Sequence, residues 1–570
     1  MDSLAKQTNR KFWGWGYADF CLTATENTAI EEAGRLLAPE GGSPVSIPKL
    51  AEYNLPKPRI SPPDHLKPLL SATPYDRLFH AYGQSCADIL RMLMRDAPNP
   101  PDFVAFPKTR HDINQLLEWM EKDNIAAIPF GGGTSVCGGI EPDVGSSYNG
   151  AVSIDLQYLD KVLQIDPISR AAHFEAGIFG PDLENTLRPH ELTLRHFPQS
   201  FGFSTLGGWI ATRAGGHFAT QYTHIDDLIE SIAMVTPRGP LASRRLPGSG
   251  AGISADRMML GSEGTMGIIT DAWVRLQARP LYKQSISIRF DSFFKAARAV
   301  RAISQSGLFP SNCRVLDPME ALQNGIGNGK HAILLLGFES ADHPLDAWMD
   351  RALELVTDHG GTYDGKALKE QAPSGASGET RDEATGTWRN AFIRMPYYRD
   401  EYLRRGLLFD TFETAITWDR FEEFHTHISQ SVHQAINEIT GRPGYLSCRF
   451  THLYPDGPAP YYTFGAYGAA TDDLGSALQR WRQIKTAASE AIIAMGGTIT
   501  HHHAVGRDHR QGYEQQTSAL FRQALGGMKK TLDPTGILNP GVLIDPVDRQ
   551  VGHTGILANK RLFDDIVGRG

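Results

Sequence analysis

The sequence predicts an α+β fold, in which a glycine-rich α/β region is followed by a cap domain with an antiparallel sheet covered by helices. The 57 glycines and 35 prolines imply many turns, as in chains that mix helices and strands. Between residues 102 and 280, helical and strand-like periodicities alternate. After residue 280, the order strand, helix, strand indicates an antiparallel sheet with helices on one face.

Composition excludes several classes of protein. The 56 basic and 64 acidic residues leave a net charge of −8, so there is no basic excess to bind nucleic acid. No apolar stretch approaches the ~18–20 residues of a membrane span, and residues 1–20 lack the apolar segment of a secretory signal. Five widely spaced cysteines without a C-x-x-C pair argue against a disulfide scaffold and fit a reducing compartment. We therefore expect a cytoplasmic enzyme.

Residues 1–98 are expected to form an arm that packs against a larger body. They open with the aromatic and glycine string Phe12–Tyr17, and a proline-rich stretch follows around Pro56–Pro68. The spacing of apolar residues predicts a helix near Asp76–Met94. The proline cluster Pro98–Pro101 marks the expected end of the arm.

Residues 99–280 are predicted to form a domain of alternating strands and helices. The apolar residues of His111–Lys122 recur at helical spacing, and Asp112 is placed to cap that helix. Pro181 opens a helix that ends near Arg188. The predicted strands are Phe103–Phe106, Ile125–Phe130, Ala151–Leu156, Val162–Ile165 and Ala172–Ala176.

Residues 281–510 are predicted to form the cap domain. The predicted strands are Ser285–Phe290 and Ala332–Phe338, and the predicted helices are Phe293–Ser304 and Gly475–Met495. The polar stretch Ala372–Glu383 is predicted to be a loop. Residues 511–545 form a C-terminal segment rich in turns, and residues 546–570 form a polar tail.

Three loops rich in Gly, Ser and Thr interrupt the first domain. In the loop of Ile128–Ser135, three glycines let the backbone approach a ligand closely, and successive N–H groups can bind a pyrophosphate. The pattern is neither a Walker A motif nor the dinucleotide motif G-x-G-x-x-G, and a structural turn is the alternative. Similar loops occur in Pro198–Gly208 and Met259–Thr270. Ordering three such loops costs backbone entropy, which the binding of a long ligand such as a dinucleotide would offset.

The motifs P-x-G-G-G-T-S, S-T-x-G-G and G-S-E-G-T-x-G-I-I-T, in this order, resemble the FAD-binding domain of the vanillyl-alcohol oxidase/p-cresol methylhydroxylase (PCMH) superfamily. The resemblance implies a PCMH-type FAD-binding domain of two subdomains, to which the segment Leu532–Gly541 returns. The first loop would hold the pyrophosphate, the second would line the flavin and ribityl chain, and the third would lie near the ADP half. The residues implied to bind FAD are Pro129, Gly131, Gly132, Gly133, Thr134, Ser135, Pro198, Ser204, Thr205, Gly207, Gly208, Thr212, Glu263, Gly264, Thr265, Gly267 and Ile269. No clear equivalent of a covalent His or Cys tether is present, so non-covalent FAD is expected.

Three consecutive histidines, His501, His502 and His503, stand in the string Thr498–Gly506. An imidazole has an ordinary pKa of ~6.5 and suits proton transfer at a substrate C–H beside a flavin. A solvated loop and an adventitious metal site are the alternatives. The run lacks a helical i, i+4 pair and an acidic partner of obvious spacing, so no metal is expected.

The histidine triplet and motifs elsewhere resemble the alkyldihydroxyacetonephosphate synthase family over residues 12–543. The further motifs are Trp13–Tyr17, Phe203–Arg213, Met234–Gly239, Tyr398–Asp400, Phe412–Thr414, Trp418–Arg420, and Cys448–Arg449 with Tyr454 and Tyr461. The resemblance implies an FAD-dependent transferase that exchanges the acyl chain of 1-acyl-dihydroxyacetone phosphate for a long-chain fatty alcohol. An ether bond of ether lipids forms without net oxidation. An apolar channel, peripheral membrane association and a homodimer are also expected.

The resemblance assigns roles to five residues of this sequence. His502 is the expected base at the substrate C1 hydrogen, His503 its neighbour or a phosphate ligand, and His501 a support. Tyr461 would donate a proton to the departing carboxylate, with a packed aromatic as the alternative. Arg399 would bind phosphate or carboxylate through its bidentate fork, with a surface ion pair as the alternative.

Two other functions compete with this one. An FAD-dependent 2-hydroxyacid dehydrogenase or oxidase of the D-lactate type shares the flavin domain, but its substrate reduces the flavin. A protein that binds flavin without catalysis is the third hypothesis. The sequence shows neither a peroxisomal targeting extension nor a C-terminal Ser-Lys-Leu, and the stretch 215–220 departs from the synthase family.

Overall fold

Four β-sheets, of four, five, two and six strands, organise the described part of the chain. The computed structural model describes residues 4, 6, 9–218, 224–365 and 383–546, with the side chains of the helix that begins at residue 383 described from residue 393 onward. Strands are numbered β1 to β17 in chain order below. No helix among the described residues has the length and apolar character that crossing a bilayer requires.

The described part of the arm contains three α-helices and one short strand, besides two short 3-10 helices. The helices are Ala24–Leu37, Pro74–Phe79 and Cys86–Leu93, and β1 is Leu70–Ser71. The prediction of one helix near Asp76–Met94 is wrong, because the chain forms two helices separated near Gly83. A Cβ on Gly83 would lie 2.3 Å from the Ser135 carbonyl oxygen, so the arm passes too close to the first glycine loop for a larger residue.

A four-stranded sheet opens the first domain. Its strands are β2 (Phe103–Ala105), β3 (Ile125–Phe130) and β4 (Gly150–Asp155), with β1 at one edge, in the order β1-β2-β4-β3. β2, β4 and β3 run parallel, so β3 delivers the first glycine loop at its carboxyl end. The predicted helix is confirmed as Arg110–Lys122. Its N-cap is Thr109 rather than Asp112, whose carboxylate instead accepts the Thr109 N–H and completes a capping box.

An antiparallel five-stranded sheet follows. Its strands are β5 (Val162–Asp166), β6 (Ala171–Glu175), β8 (Ile229–Thr236), β9 (Gly239–Ala242) and β10 (Ile268–Arg275), in the order β5-β6-β10-β8-β9. The helices are Gly180–Leu187, Leu206–Thr212, Ile225–Leu228 and Ala255–Met259. β7 (Leu192–Thr193) pairs with β11 (Gln277–Ala278). The strands predicted in this domain are confirmed, with boundaries displaced by at most one residue.

The cap contains an antiparallel six-stranded sheet, so the α+β prediction is confirmed. Its strands are β12 (Tyr282–Phe290), β13 (Asn312–Leu316), β14 (Ala332–Ser340), β15 (Leu407–Glu413), β16 (Tyr445–Leu453) and β17 (Pro458–Tyr467), in the order β12-β14-β13-β16-β17-β15. The helices are Phe293–Gln305, Pro318–Gln323, Asp346–Asp358, Glu383–Arg404, Trp418–Thr440 and Leu474–Ala494. The loop predicted over 372–383 lies outside the described residues except at residue 383, where a helix begins.

The two faces of the cap sheet have different surroundings. Alternate side chains such as Phe412, Cys448, Phe450 and Tyr462 join a large apolar core that includes residues of the covering helices. The residues between them point to the opposite face, because successive side chains of a strand alternate. That second face looks toward the glycine loops and carries polar side chains.

The C-terminal segment returns to the first domain after the helices Arg510–Gln516 and Ala519–Leu532. Leu538 pairs in parallel with Ala127 of β3, and the Asn539 N–H donates to the Ala127 carbonyl oxygen at 2.8 Å. The Asn539 side-chain amide donates to the carbonyl oxygens of Gly139 and Glu263. The segment therefore continues the first sheet beside the origin of the first glycine loop. The predicted tail lies outside the described residues beyond residue 546.

Candidate active site

A single cavity lies between the glycine loops of the first domain and the polar face of the cap sheet. From the first domain it is lined by Gly131–Ser135, Pro198, Ser204, Thr205, Gly208, Thr212 and residues 214–217. From the arm and the cap it is lined by Trp15, Arg314, Arg399, Arg449, His452, Tyr461, Lys485, His502 and His503, among others. The structure thus brings together the first two glycine loops and four of the five residues predicted to be catalytic.

The loop Gly131–Ser135 has the properties of an anion site. Within the described residues, none of its backbone N–H groups donates a hydrogen bond to the protein. A Cβ on Gly132 would lie 1.8 Å from the Phe203 carbonyl oxygen, and Gly133 has φ +70°. The loop therefore presents free N–H groups on a backbone that only glycine permits, which fits the pyrophosphate of FAD.

The second loop closes against the first. Thr205 is the N-cap of the helix Leu206–Thr212, and its hydroxyl accepts the Gly208 N–H at 3.3 Å. A Cβ on Gly131 would lie 2.5 Å from the same hydroxyl, so the two loops are in direct contact. Gly207 faces away from the cavity, where a Cβ would lie 2.8 Å from the Ala176 Cβ.

Seven residues implied to bind FAD do not line the cavity. They are Pro129, Gly207, Glu263, Gly264, Thr265, Gly267 and Ile269. The third loop packs against the end of β3 instead, since a Cβ on Gly264 would lie 2.8 Å from Pro129 Cγ. Ile269 belongs to the apolar core of the second sheet. A direct role of the third loop in holding FAD stays a prediction.

Glu263 supports the histidine loop from the side of the first domain. Its carboxylate accepts the N–H groups of Val505 and Gly506 at 2.9 and 2.8 Å. Burial raises the pKa of this carboxyl to about 7, against the opposing effect of the two N–H donors. Glu263 therefore fixes the backbone that follows the histidine triplet.

Glu413, at the end of β15, holds the triplet from the cap side. One oxygen, Oε1, accepts the backbone N–H groups of His501, His502 and His503 at 3.2, 2.7 and 2.6 Å. The same oxygen accepts the Thr500 hydroxyl at 3.0 Å. The other oxygen, Oε2, pairs with His502 Nδ1. A single buried carboxylate therefore sets both the backbone of the triplet and the orientation of the His502 ring.

The histidine rings form a buried cluster. His501 Nε2 lies 2.7 Å from the Tyr454 hydroxyl, and the ring of His452 lies 4.8 Å from that of His501. Burial lowers the pKa of His503 to about 3 and that of His501 well below its ordinary value, so both are neutral at neutral pH. Burial would raise the pKa of Glu413, but His502 and His503 hold it well below its ordinary range. The cluster thus contains the Glu413 carboxylate, which pairs with His502, and the neutral imidazoles of His501 and His503.

Tyr461 lies in a row of side chains that crosses three strands. It pairs with Arg449 of β16 on one side and with Glu413 of β15 on the other, so the three side chains share one face. The Arg449 guanidinium lies 3.9 Å from the Tyr461 ring centroid, and the Tyr461 hydroxyl donates to Thr411 Oγ1 at 3.0 Å. Burial raises the pKa of Tyr461 to about 12, so the phenol keeps its proton at neutral pH. Tyr461 is a packed aromatic that also faces the cavity.

Arg399 is mostly buried, with its side chain 11% exposed, rather than part of a surface ion pair. Its Nη1 donates to the Gln84 carbonyl oxygen at 2.6 Å, and its Nη2 donates to Asp400 Oδ1 at 2.9 Å. The other Asp400 oxygen accepts the Trp15 N–H at 2.7 Å. Arg399 therefore ties the arm to the cap while lining the cavity.

The sequence reasoning missed Glu413, His452 and the buried pair of Arg449 with Glu320. Glu413 lies 88 residues before His501, so local spacing could not show it as the acidic partner of the triplet. The motif Phe412–Thr414, which contains Glu413, was the signal in the sequence that could have identified this residue. Among the residues that the structure describes, two sets of side chains offer ligand atoms within 4.8 Å of one another: His452 with His501 and His502, and Glu413 with His502 and His503. The expected absence of a metal stays a prediction.

Comparisons with known proteins agree with this architecture. A family model described as "FAD binding domain" matches residues 101–243, and one described as "FAD linked oxidases, C-terminal domain" matches residues 279–543. The alkyldihydroxyacetonephosphate synthase of Dictyostelium discoideum is 29% identical over 489 residues, which cover 83% of this chain and 78% of its own length. That of Trypanosoma brucei brucei is 29% identical over 527 residues, 86% of this chain and 82% of its own.

A solved structure of an alkyldihydroxyacetonephosphate synthase superposes with a TM-score of 0.75. It is 24% identical and covers 95% of this chain and 99% of its own. This likeness shows that the two chains share a fold from the arm to the C-terminal segment.

Proposed function

This chain belongs to the alkyldihydroxyacetonephosphate synthase-like FAD-linked oxidases, and we propose on that premise that it exchanges the acyl chain of 1-acyl-dihydroxyacetone phosphate for a long-chain fatty alcohol. An ether bond forms without net oxidation. The observation that carries the proposal is the shared cavity, in which the loop Gly131–Ser135 faces His502, His503 and Tyr461. A contact joins the two walls directly, because a Cβ on Gly215 would lie 3.4 Å from His502 Cβ.

The first-domain wall would hold FAD without a covalent bond. The free N–H groups of Gly131–Ser135 bind the pyrophosphate, and Ser204, Thr205 and Gly208 border the ribityl chain and the flavin. When bound, FAD supplies the electronic reactivity for exchanging groups at the substrate carbon, while the protein supplies positions and protons.

The cap wall would bind the phosphate of the substrate. Four cations line the cavity on this side: Arg314, Arg399, Arg449 and Lys485. The last three are also paired with Asp400, Glu320 and Asp410. Arginine presents paired donors that match phosphate oxygens, and these bonds strengthen where water is excluded. The neutral His503 adds a donor without adding charge. Phosphate bound on this wall would orient C1 of the substrate toward His502.

The proposed proton steps use three side chains of the cap wall, those of His502, Glu413 and Tyr461. His502 takes the proton from C1, and the Glu413 carboxylate stabilises the resulting imidazolium. The C1–O bond to the acyl group breaks with its electron pair on the departing carboxylate, to which Tyr461 donates a proton, and the chemistry that bound FAD would supply keeps C1 bonded until the alcohol arrives. The alcohol oxygen then forms the new C1–O bond and gives up its proton, which restores Tyr461. His502 returns its proton to C1, so no electron is gained or lost overall.

The acyl and alkyl chains of the proposed substrates require an apolar channel in the protein. A long acyl or alkyl chain gains ~0.8 kcal/mol per buried CH₂ on entering an apolar channel. Such a channel, peripheral attachment to a membrane and a homodimer stay predictions that rest on the family resemblance.

An anaerobic assay with palmitoyl-dihydroxyacetone phosphate and labelled hexadecanol tests the proposal. We expect alkyl product from the yellow wild-type protein, a fall of about 10²–10⁴-fold for His502→Ala, since an acid–base group contributes that much, and a clear fall for Tyr461→Phe. Tyr467→Phe, a tyrosine that does not line the cavity, should retain activity. Bleaching of the flavin by D-lactate without any alkyl product would instead assign a dehydrogenase.

A further inference from the structure

Arg10, in the arm, is a buried cation behind the first glycine loop. Its side chain is buried, with the residue only 4% exposed, and its Nη1 donates to the Gly132 carbonyl oxygen at 2.7 Å. The guanidinium lies 4.9 Å from the ring centroids of both Phe79 and Phe203, which enclose it from two sides. The side chain is therefore held in a fixed position against a loop that lies more than a hundred residues away in the chain.

The charge of Arg10 forms no ion pair within the described residues. No carboxylate lies within 4.0 Å of its nitrogens there, and Nε makes no hydrogen bond. Burial lowers the pKa of Arg10 to about 10, which still leaves it charged at neutral pH. A buried, unpaired charge is costly, and a nearby anion would offset that cost.

The bond to Gly132 also sets the direction of a peptide group. The peptide between Gly132 and Gly133 is trans, so its N–H points opposite to the carbonyl that Arg10 holds. Arg10 therefore turns the Gly133 N–H away from itself and polarises it, because a donor at the carbonyl strengthens the N–H of the same peptide.

We propose that Arg10 is a positioning residue for the pyrophosphate of FAD, acting through the Gly132–Gly133 peptide and through its own buried charge, which forms no ion pair. The inference rests on the proposed role of Gly131–Ser135 as the pyrophosphate loop. It assigns to the arm, which lies outside the match to the FAD-binding domain at residues 101–243, a share in cofactor affinity.

Binding of two flavins by the full chain, stripped of its cofactor, tests the proposal. FAD carries the pyrophosphate and riboflavin lacks it, so riboflavin reports effects on the ring site alone. We expect Arg10→Gln to raise the Kd for FAD at least tenfold, or about 1.4 kcal/mol, and to leave the Kd for riboflavin unchanged. Arg10→Lys, which keeps the charge, should recover part of the FAD affinity.

Lys11→Gln is the matched control, because Lys11 is the adjacent cation of the arm and faces the Tyr397 ring instead of the loop. Its Kd for FAD should equal that of the wild type. Arg10→Met, which keeps an apolar stem between the two phenylalanines, provides the same comparison should Arg10→Gln not fold. An FAD Kd within threefold of the wild-type value, or an equal loss for riboflavin, would overturn the proposal. Wild-type protein that binds neither flavin would refute the cofactor assignment instead.

Discussion

Among single residues, Glu413 contacts both the backbone and the side chains of the histidine triplet. Its Oε1 accepts three backbone N–H groups and a hydroxyl, and its Oε2 pairs with His502 Nδ1. Burial would raise the pKa of this carboxyl, but the neighbouring His502 and His503 stabilise the anion and hold the pKa well below its ordinary value. The contribution of ionised Glu413 to the free energy of unfolding therefore depends on pH.

Replacing Glu413 by Gln should destabilise the protein in a pH-dependent way. Because the pKa of Glu413 is lowered on folding, its contribution is complete above the unfolded pKa of ~4.3 and is lost as the pH falls toward the folded value. We expect Glu413→Gln to lower the free energy of unfolding by about 1–3 kcal/mol at pH 7, as for donors left without a good acceptor. Urea denaturation from pH 7 down to pH 3 measures the difference.

The difference between wild type and Glu413→Gln should narrow only below about pH 4.3. Glu423→Gln, an exposed carboxylate on the helix Trp418–Thr440, is the control and should leave the curve unchanged. A difference that is constant across this pH range would contradict the charge-based account of Glu413.

At the scale of elements, the site lies where β3 ends and where β15, β16 and β17 run side by side. Strand β3 delivers the glycine loop, and the three cap strands deliver one row of side chains, Arg449, Tyr461 and Glu413. The three glycines of the loop have no room for side chains, so its function depends on glycine at these positions.

Gly132→Ala should prevent the loop from closing on Phe203. A Cβ there would lie 1.8 Å from a backbone oxygen, which cannot move as the end of a flexible side chain can. We expect a loss of at least about 1–3 kcal/mol in the free energy of unfolding, the usual cost of overpacking, together with weaker FAD binding. Gly250→Ala, at a position with open space, is the control for thermal unfolding and flavin content. Equal melting temperatures for the two variants would contradict the account.

Elements with strong periodicity could be predicted from the sequence, whereas contacts between distant elements could not. The strand Ile125–Phe130 has the predicted boundaries, because a continuous apolar run ends at a glycine triplet. The helix predicted near Asp76–Met94 is interrupted near Gly83, and a second helix begins after the capping box of Ser85 with Asp88, a local signal that the prediction did not use. Glu413 meets His502 because the loop after the helix Leu474–Ala494 returns to the end of β15, where the Thr498 N–H donates to the Ala415 carbonyl oxygen, so a tertiary contact and not spacing determines the site.

At the scale of the whole molecule, both ends of the described chain close on the first domain. Arg10 reaches the first glycine loop from the arm, and Asn539 reaches Gly139 and Glu263 from the C-terminal segment. Lys529 stabilises the contact between the C-terminal segment and the first domain, since its buried Nζ donates to Asp533 and to the carbonyl oxygens of Thr265 and Leu538.

Lys529→Met should destabilise this closure strongly. Both side chains of the Lys529–Asp533 pair are fully buried, so removing the lysine leaves an uncompensated carboxylate in the interior. We expect a loss of about 3–5 kcal/mol in the free energy of unfolding, measured by urea denaturation. Lys530→Met, the exposed neighbour, is the matched control. Wild-type stability in Lys529→Met would show that the closure does not depend on the pair.

The pairing of Leu538 with Ala127 has a consequence for how the protein is made. Ribosomes extend a chain from its amino end, so β3 and its glycine loop emerge some four hundred residues before their neighbour Leu538. Throughout translation the flank of that strand is open, and the carbonyls of Gly139 and Glu263 await the Asn539 amide. The edge of β3 beside the glycine loop is therefore completed only after the C-terminal segment has been synthesised.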